Sequence, residues 1–168
     1  MEEKELLETA VSKLIHLNQT LKNLPMLQTT PFLLFDGNCR QAMSFYQECL
    51  GGELTLTRVG DTPMKAQFPE EKHDRIIYAH LKNNQIEFSA TDWMASPMLE
   101  PKPGNTFSIY LTGERYEELK PVFDRLAVGA DRETRLFMEL NNAPFGVYGQ
   151  LTDQFGVSWI FRGMSQVG

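Results

Sequence analysis

His80 and Glu87 are the side chains in this chain whose types and spacing could do acid–base work. They stand on either side of Asn83-Asn84, and the stretch around them, RIIYAHLKNNQIEFSATD, alternates as a β-hairpin does. A two-residue turn at Asn83-Asn84 sets Lys82 against Gln85, Leu81 against Ile86 and His80 against Glu87. An imidazole beside a carboxylate can relay a proton near neutral pH, and with Glu139 from the second half of the chain it could hold a weakly bound ion. The simpler role is a cross-strand contact contributing about 0.2–1 kcal/mol. His16 and His73 fall outside this group and are expected at the surface.

The same alternation sorts side chains onto two faces. Ile77, Ala79, Leu81, Ile86, Phe88 and Ala90 share the face that takes a helix, while Tyr78, His80, Glu87 and Ser89 share the other. In the second half, Phe107, Ile109, Leu111, Val147, Val157, Trp159 and Phe161 oppose Ser108, Tyr110, Tyr148, Gln150, Ser158 and Arg162. A face that meets only water is usually rich in Lys, Glu and Thr. This one carries side chains with an apolar body and a polar tip, which suit a half-enclosed cleft. Tyr78, His80, Glu87, Ser89, Ser108, Tyr110, Tyr148, Gln150 and Arg162 are therefore the expected ligand-cleft residues, with a plain exposed or dimer-buried face as the alternative. There is no G-x-S-x-G elbow, phosphate loop or C-x-x-C, and the glycines of Gly146-Val147-Tyr148-Gly149 suit a bulge or a close backbone approach.

These residues need a scaffold, and the chain supplies it twice. An apolar strand at 32–35 runs through Asp36-Gly37 into a helix at 38–50, with Asn38 as the N-cap type and one apolar face through Ala42, Phe45, Tyr46 and Cys49. A strand at 53–59, a polar loop at 60–74 and the hairpin at 75–92 follow, and then a Pro-rich linker at 93–105. The order then repeats: a strand at 106–111, a helix at 114–126 that Pro121 should bend or split, and strands at 135–140, 145–151 and 157–161 joined by Asn141-Asn142 and TDQFG. Both halves thus read β-α-β-β-β, which argues duplication and an α+β fold, with modules at 31–92 and 105–162 inside a domain at 30–168. Ahead of it, Leu7, Ala10, Leu14, Leu17, Leu21 and Leu24 recur at alternating spacings, a heptad seam on a helix within 1–29 that Pro25 stops. Such a stripe either docks on its own domain or pairs with another helix.

A net charge of -6 argues against nucleic acid as a partner, since phosphates demand a basic face. No run approaches the roughly 20 apolar residues of a membrane span, and no signal peptide opens the chain. Cys39 and Cys49 are too far apart on one helix to pair, about 15 Å of rise, so two free thiols point to the cytoplasm.

The segments FDGNCRQAMSFYQECLGG, IIYAHL with IEFSATD, GNTFSIYL and PFGVYGQLTDQFGVSWIF resemble the vicinal oxygen chelate superfamily, the glyoxalase/bleomycin-resistance/extradiol-dioxygenase fold. Within it the chain is similar to the PhnB-like group, often labelled 3-demethylubiquinone methyltransferase-like. The resemblance covers residues 31–162 and leaves the N-terminal helix aside. It implies paired βαβββ modules curled into an open, mostly antiparallel sheet around a cleft, pairing into a homodimer, and in many members a divalent metal. The metal positions of the superfamily fall here at about Pro31, Glu87, Ser108 and Ile160. Of these only Glu87 is a good ligand, and such ions want three or four, so no metal or other cofactor is expected. No glycine-rich nucleotide loop follows a parallel strand, which speaks against methyl transfer. The expected function is small-molecule binding; the alternatives are a divergent lyase or oxygenase, metal-dependent or using His80 and Glu87 as its acid–base pair, and an interaction protein whose heptad helix is the working part.

Overall fold

A computed structural model of the chain describes residues 9, 11–16, 29–94, 100–133 and 135–164. Two four-stranded sheets carry the fold. The first module runs β1 (Phe32–Phe35), α1 (Cys39–Leu50), β2 (Glu53–Arg58), three short 3-10 turns, β3 (Ile76–Lys82) and β4 (Glu87–Asp92). The second runs β5 (Ile109–Gly113), α2 (Tyr116–Leu126), β6 (Phe137–Ala143), β7 (Gly146–Thr152) and β8 (Ser158–Gly163). The sheet orders are β1-β4-β3-β2 and β5-β8-β7-β6, so the first strand of each module lies parallel to the last and the other pairings are antiparallel. This is the α+β arrangement of duplicated βαβββ modules that the element order implies.

Both helices and the inner faces of both sheets feed one core. Ala42, Met43 and Tyr46 of α1 and Phe123 and Leu126 of α2 are fully buried alongside Phe88, Trp159 and Phe161. The modules are also joined by polar bonds. The Tyr46 hydroxyl donates to Asp153 Oδ2 at 2.8 Å, and Trp159 Nε1 donates to the same oxygen at 2.8 Å. Asp153 Oδ1 accepts from the backbone N–H groups of Phe155 and Val157, which fixes the β7–β8 turn. Burial pushes the Asp153 carboxyl above the ordinary carboxylate range against the pull of these four donors, and burial together with Asp153 pushes the Tyr46 phenol up, so Tyr46 remains a donor. Arg125 of α2 donates twice to the carbonyl of Cys49, capping the last turn of α1 from the other module.

Several local expectations are corrected. Asn38 stands at the N-cap of α1 but makes no side-chain cap bond. Asp92, at the end of β4 and 2% exposed, does that work instead: Oδ1 accepts from the N–H groups of Gly37 and Cys39, and Oδ2 from that of Ile76. Pro121 does not split α2, which is continuous, because its ring removes one bond on the exposed side of the helix. Strand β5 starts at Ile109, leaving Phe107 exposed rather than inward. Strands β6 and β7 meet at a Pro144-Phe145 turn, not at Asn141-Asn142, with Ala143 opposite Gly146. The glycine expectation for β7 holds at Gly149, where a Cβ would lie 2.9 Å from Leu140 Cα. Of the leucine stripe only Leu14 lies among the described residues; it is 66% exposed within a helical stretch at 11–16, and Leu7, Ala10, Leu17, Leu21, Leu24 and Pro25 fall outside them.

Candidate functional site

The β3–β4 hairpin sets the first group of candidate residues. Asn83 donates its N–H to the Ile86 carbonyl at 2.9 Å, while its Oδ1 accepts from the N–H groups of Gln85 and Ile86. The turn is therefore centred on Asn84-Gln85, one residue later than Asn83-Asn84. Moving the turn by one slides the register by two, so His80 lies opposite Ser89, Lys82 opposite Glu87 and Leu81 opposite Phe88. A slip of two keeps every side chain on its face. Ile76 rather than Ile77 is fully buried, because a bulge between Thr57 and Arg58 leaves Ile77 without a partner on β2.

On the outer face of this sheet, His80 Nε2 donates to Glu87 Oε1 at 3.0 Å, along a diagonal between the strands. Lys82 Nζ reaches the other oxygen of Glu87 at 2.9 Å. The Lys82 ammonium, and after it the His80 ring, hold the Glu87 carboxyl below the usual carboxylate range. The Tyr78 ring stacks on His80 with centroids 6.1 Å apart, and the Tyr78 hydroxyl lies 3.5 Å from Ser89 Oγ. Thr55 opposite His80 and Phe32 opposite Ser89 complete the row. The position of Lys82 was legible only with the true turn in hand. Phe32 and Leu34, the outward members of β1, carried no such signal, because all four residues of that strand are apolar.

The second group occupies the outer face of the other sheet. Tyr110, Ile160, Gln150 and Met138 form one cross-strand row, and Thr112, Arg162, Tyr148 and Asn141 the next. Tyr148 donates to Gln150 Oε1 at 3.2 Å, and Arg162 Nη2 donates to the Phe145 carbonyl at 2.6 Å. Ser108, just ahead of β5, donates to Ser158 Oγ at 3.0 Å. The bonds and ring contacts of each group stay within its own sheet, so the nine cleft candidates form two patches rather than one cluster of touching side chains. A groove of about 1220 Å³ takes in Tyr110 and Arg162 and is walled on its far side by Gln85 and Ile86 of the first module. A second, of about 470 Å³, runs along β1 beside Pro101, Pro103 and Phe155.

Of the other titratable candidates, Glu139 is spent on Arg132 at 2.7 Å. His73 Nε2 lies 3.1 Å from the carbonyls of Lys65 and Phe68, so this half-buried ring pins the 3-10 segment between β2 and β3. Burial raises the thiol of Cys39 to about 12 and that of Cys49 to about 11; both are free and inert at neutral pH. At the metal positions of the superfamily, Pro31 and Ile160 offer no ligand atom in their side chains, Ser108 is bonded to Ser158, and Glu87 is held by Lys82 and His80. Among the described residues no three His, Cys, Asp or Glu side chains cluster as an ion would need. The residues present do not fit a divalent metal. No helix among them is long and apolar enough to cross a membrane.

Comparison with known proteins agrees with this geometry. Residues 27–161 match the family described as 3-demethylubiquinone-9 3-methyltransferase. The crystal structure of protein PA1353 from Pseudomonas aeruginosa is 31% identical, covers 83% of this chain and 99% of its own, and superposes with a TM-score of 0.67. The PhnB protein of Bacillus cereus is 28% identical over 81% of this chain and 98% of its own, with a TM-score of 0.60. A glyoxylase/bleomycin resistance protein/dioxygenase domain from Frankia sp. EAN1pec shares the fold at a TM-score of 0.56 and 14% identity, covering 86% of this chain and 96% of its own.

Proposed function

The chain belongs to the 3-demethylubiquinone-9 3-methyltransferase family, and from that premise we propose a small-molecule binding protein of the glyoxalase fold that works without a divalent metal. One observation carries the proposal. The outer faces of both sheets present Tyr78, His80, Tyr110, Tyr148, Gln150 and Arg162, where a face meeting only water would carry short polar and flexible charged side chains. The donor set at the metal positions supports the metal-free part, since only Glu87 could ligate strongly and its two oxygens are engaged. Methyl transfer finds no support at the β1–α1 junction, where a nucleotide cofactor would need free backbone donors. Asp92 takes the N–H groups of Gly37 and Cys39.

A catalytic variant of the proposal has its own observation, the 3.0 Å contact between His80 and Glu87. Because Lys82 keeps Glu87 ionised, proton transfer there would fall to His80, with Glu87 as its orienting partner. A homodimer in a reducing compartment, with free Cys39 and Cys49, belongs to the same proposal. Elemental analysis of protein purified without chelators tests the metal-free claim. Well under one transition-metal ion per chain is expected, and one tightly held ion per chain would replace the binding proposal with a metalloenzyme.

A further inference from the structure

Arg58, Arg75, Arg115 and Arg132 each spend their charge on a carboxylate. Arg162 has no carboxylate partner among the described residues, although it is half-buried and the chain carries a net charge of -6. Its guanidinium is nevertheless held in place. Nη2 donates to the Phe145 carbonyl at 2.6 Å, and the guanidinium carbon sits 5.0 Å from the centre of the Phe145 ring. That ring is in turn braced edge-on by Tyr148, at 6.1 Å. A fixed, unpaired guanidinium fork lining a groove is suited to take an oxyanion through two parallel hydrogen bonds.

The surroundings narrow the ligand. Thr112 lies directly across from Arg162 on the edge strand β5, and neither its hydroxyl nor that of Tyr110 has a partner among the described residues. Ile86 and Phe145 give the groove an apolar lining, and two carboxylates also line it, Glu114 and the Arg115-paired Glu118, so an anion is favoured at Arg162 and a polyanion spread along the groove is not. We propose that this groove binds an amphipathic organic molecule through a single oxyanion, a carboxylate or a phosphoryl group, seated on Arg162 with its apolar body against Phe145. This rests on the small-molecule function proposed above and names its ligand class.

Calorimetric titration of the full chain with benzoate, phenyl phosphate and the neutral isostere benzamide tests it. At least one anion should bind tenfold or more tightly than benzamide, and which of the two binds separates a carboxylate from a phosphoryl ligand. Arg162→Gln should weaken that anion at least tenfold and leave benzamide unchanged, and Arg162→Lys should fall between, because lysine keeps the charge and loses the fork. Circular dichroism checks the fold of each variant, and displacement of the bound anion by inorganic phosphate on the wild type gives an answer that needs no variant. Equal binding of all three compounds, or anion binding that survives Arg162→Gln in a folded protein, overturns the oxyanion assignment and leaves small-molecule binding standing. Binding of none of the three overturns both.

Discussion

Glu87 sits between Lys82 Nζ at 2.9 Å and His80 Nε2 at 3.0 Å, and this decides what the hairpin can do. A carboxyl held down by these neighbours is ionised over the working pH range and cannot serve as a general acid. Its pKa is depressed in the folded chain, so its contribution to stability is present above the ordinary value of 4.5 and lost as pH falls through the lower folded value. In a carboxyl NMR titration Glu87 should therefore titrate below 4.5, and Lys82→Met should raise it more than His80→Gln does, since the ammonium contributes more. A Glu87 indifferent to Lys82→Met would remove the ion pair from the account. That His80 and Glu87 share a face was legible in the sequence because the alternation fixes faces; the direct opposition expected from an Asn83-Asn84 turn is replaced by a diagonal contact. The role of Lys82 was not legible, because it depends on where the turn falls, and Asn83 settles that by bonding its own turn backbone through Oδ1.

Strands and helices followed closely from local pattern, and their termini did not. The apolar spacing of α1 specifies a helix wherever it is placed, but its N-terminus is completed by a residue from a strand far along the chain. Asp92 accepts three backbone N–H groups at 2.8–2.9 Å, joining the start of α1, the loop before it and the first residue of β3. Such a cap leaves no local signature, whereas Asn38 has the right residue type in the right place and forms no cap bond. Asp92→Ala would strand three donors, of which those of Cys39 and Ile76 are buried, at about 1–3 kcal/mol each, so a loss of several kcal/mol is expected in urea unfolding. Asp92→Asn, which keeps one acceptor oxygen, should lose about half as much. An Asp92→Ala protein as stable as wild type would show that these donors find other partners. The same limit explains β5 and the β6–β7 turn, where Phe107 and Asn141-Asn142 match a pattern but sheet pairing sets the ends.

At the scale of the molecule, duplication was legible because both halves repeat one element order, and the single core follows from the two helices meeting under both sheets. How the outer faces lie was not legible, since alternation says which residues share a face and not which faces meet. Those faces leave Phe32 60%, Tyr110 58% and Phe145 57% exposed, with Phe107 at 61% beside the start of β5. Leu14, at 66%, with Val11 and Ile15, adds exposed apolar area in the helical stretch 11–16. Burying a side chain of this size contributes about 1.5–3 kcal/mol, so a second copy that paired the leucine stripe and met the sheets away from the Arg162 groove would be favoured. The full chain is therefore expected to be a homodimer by light scattering at tens of micromolar. A chain beginning at Thr29 should dimerise more weakly, because the sheets still pair while the stripe is lost. A monomeric full chain would refute the dimer. A shortened chain that dimerises as tightly as the full one would assign the stripe to its own domain or to another partner.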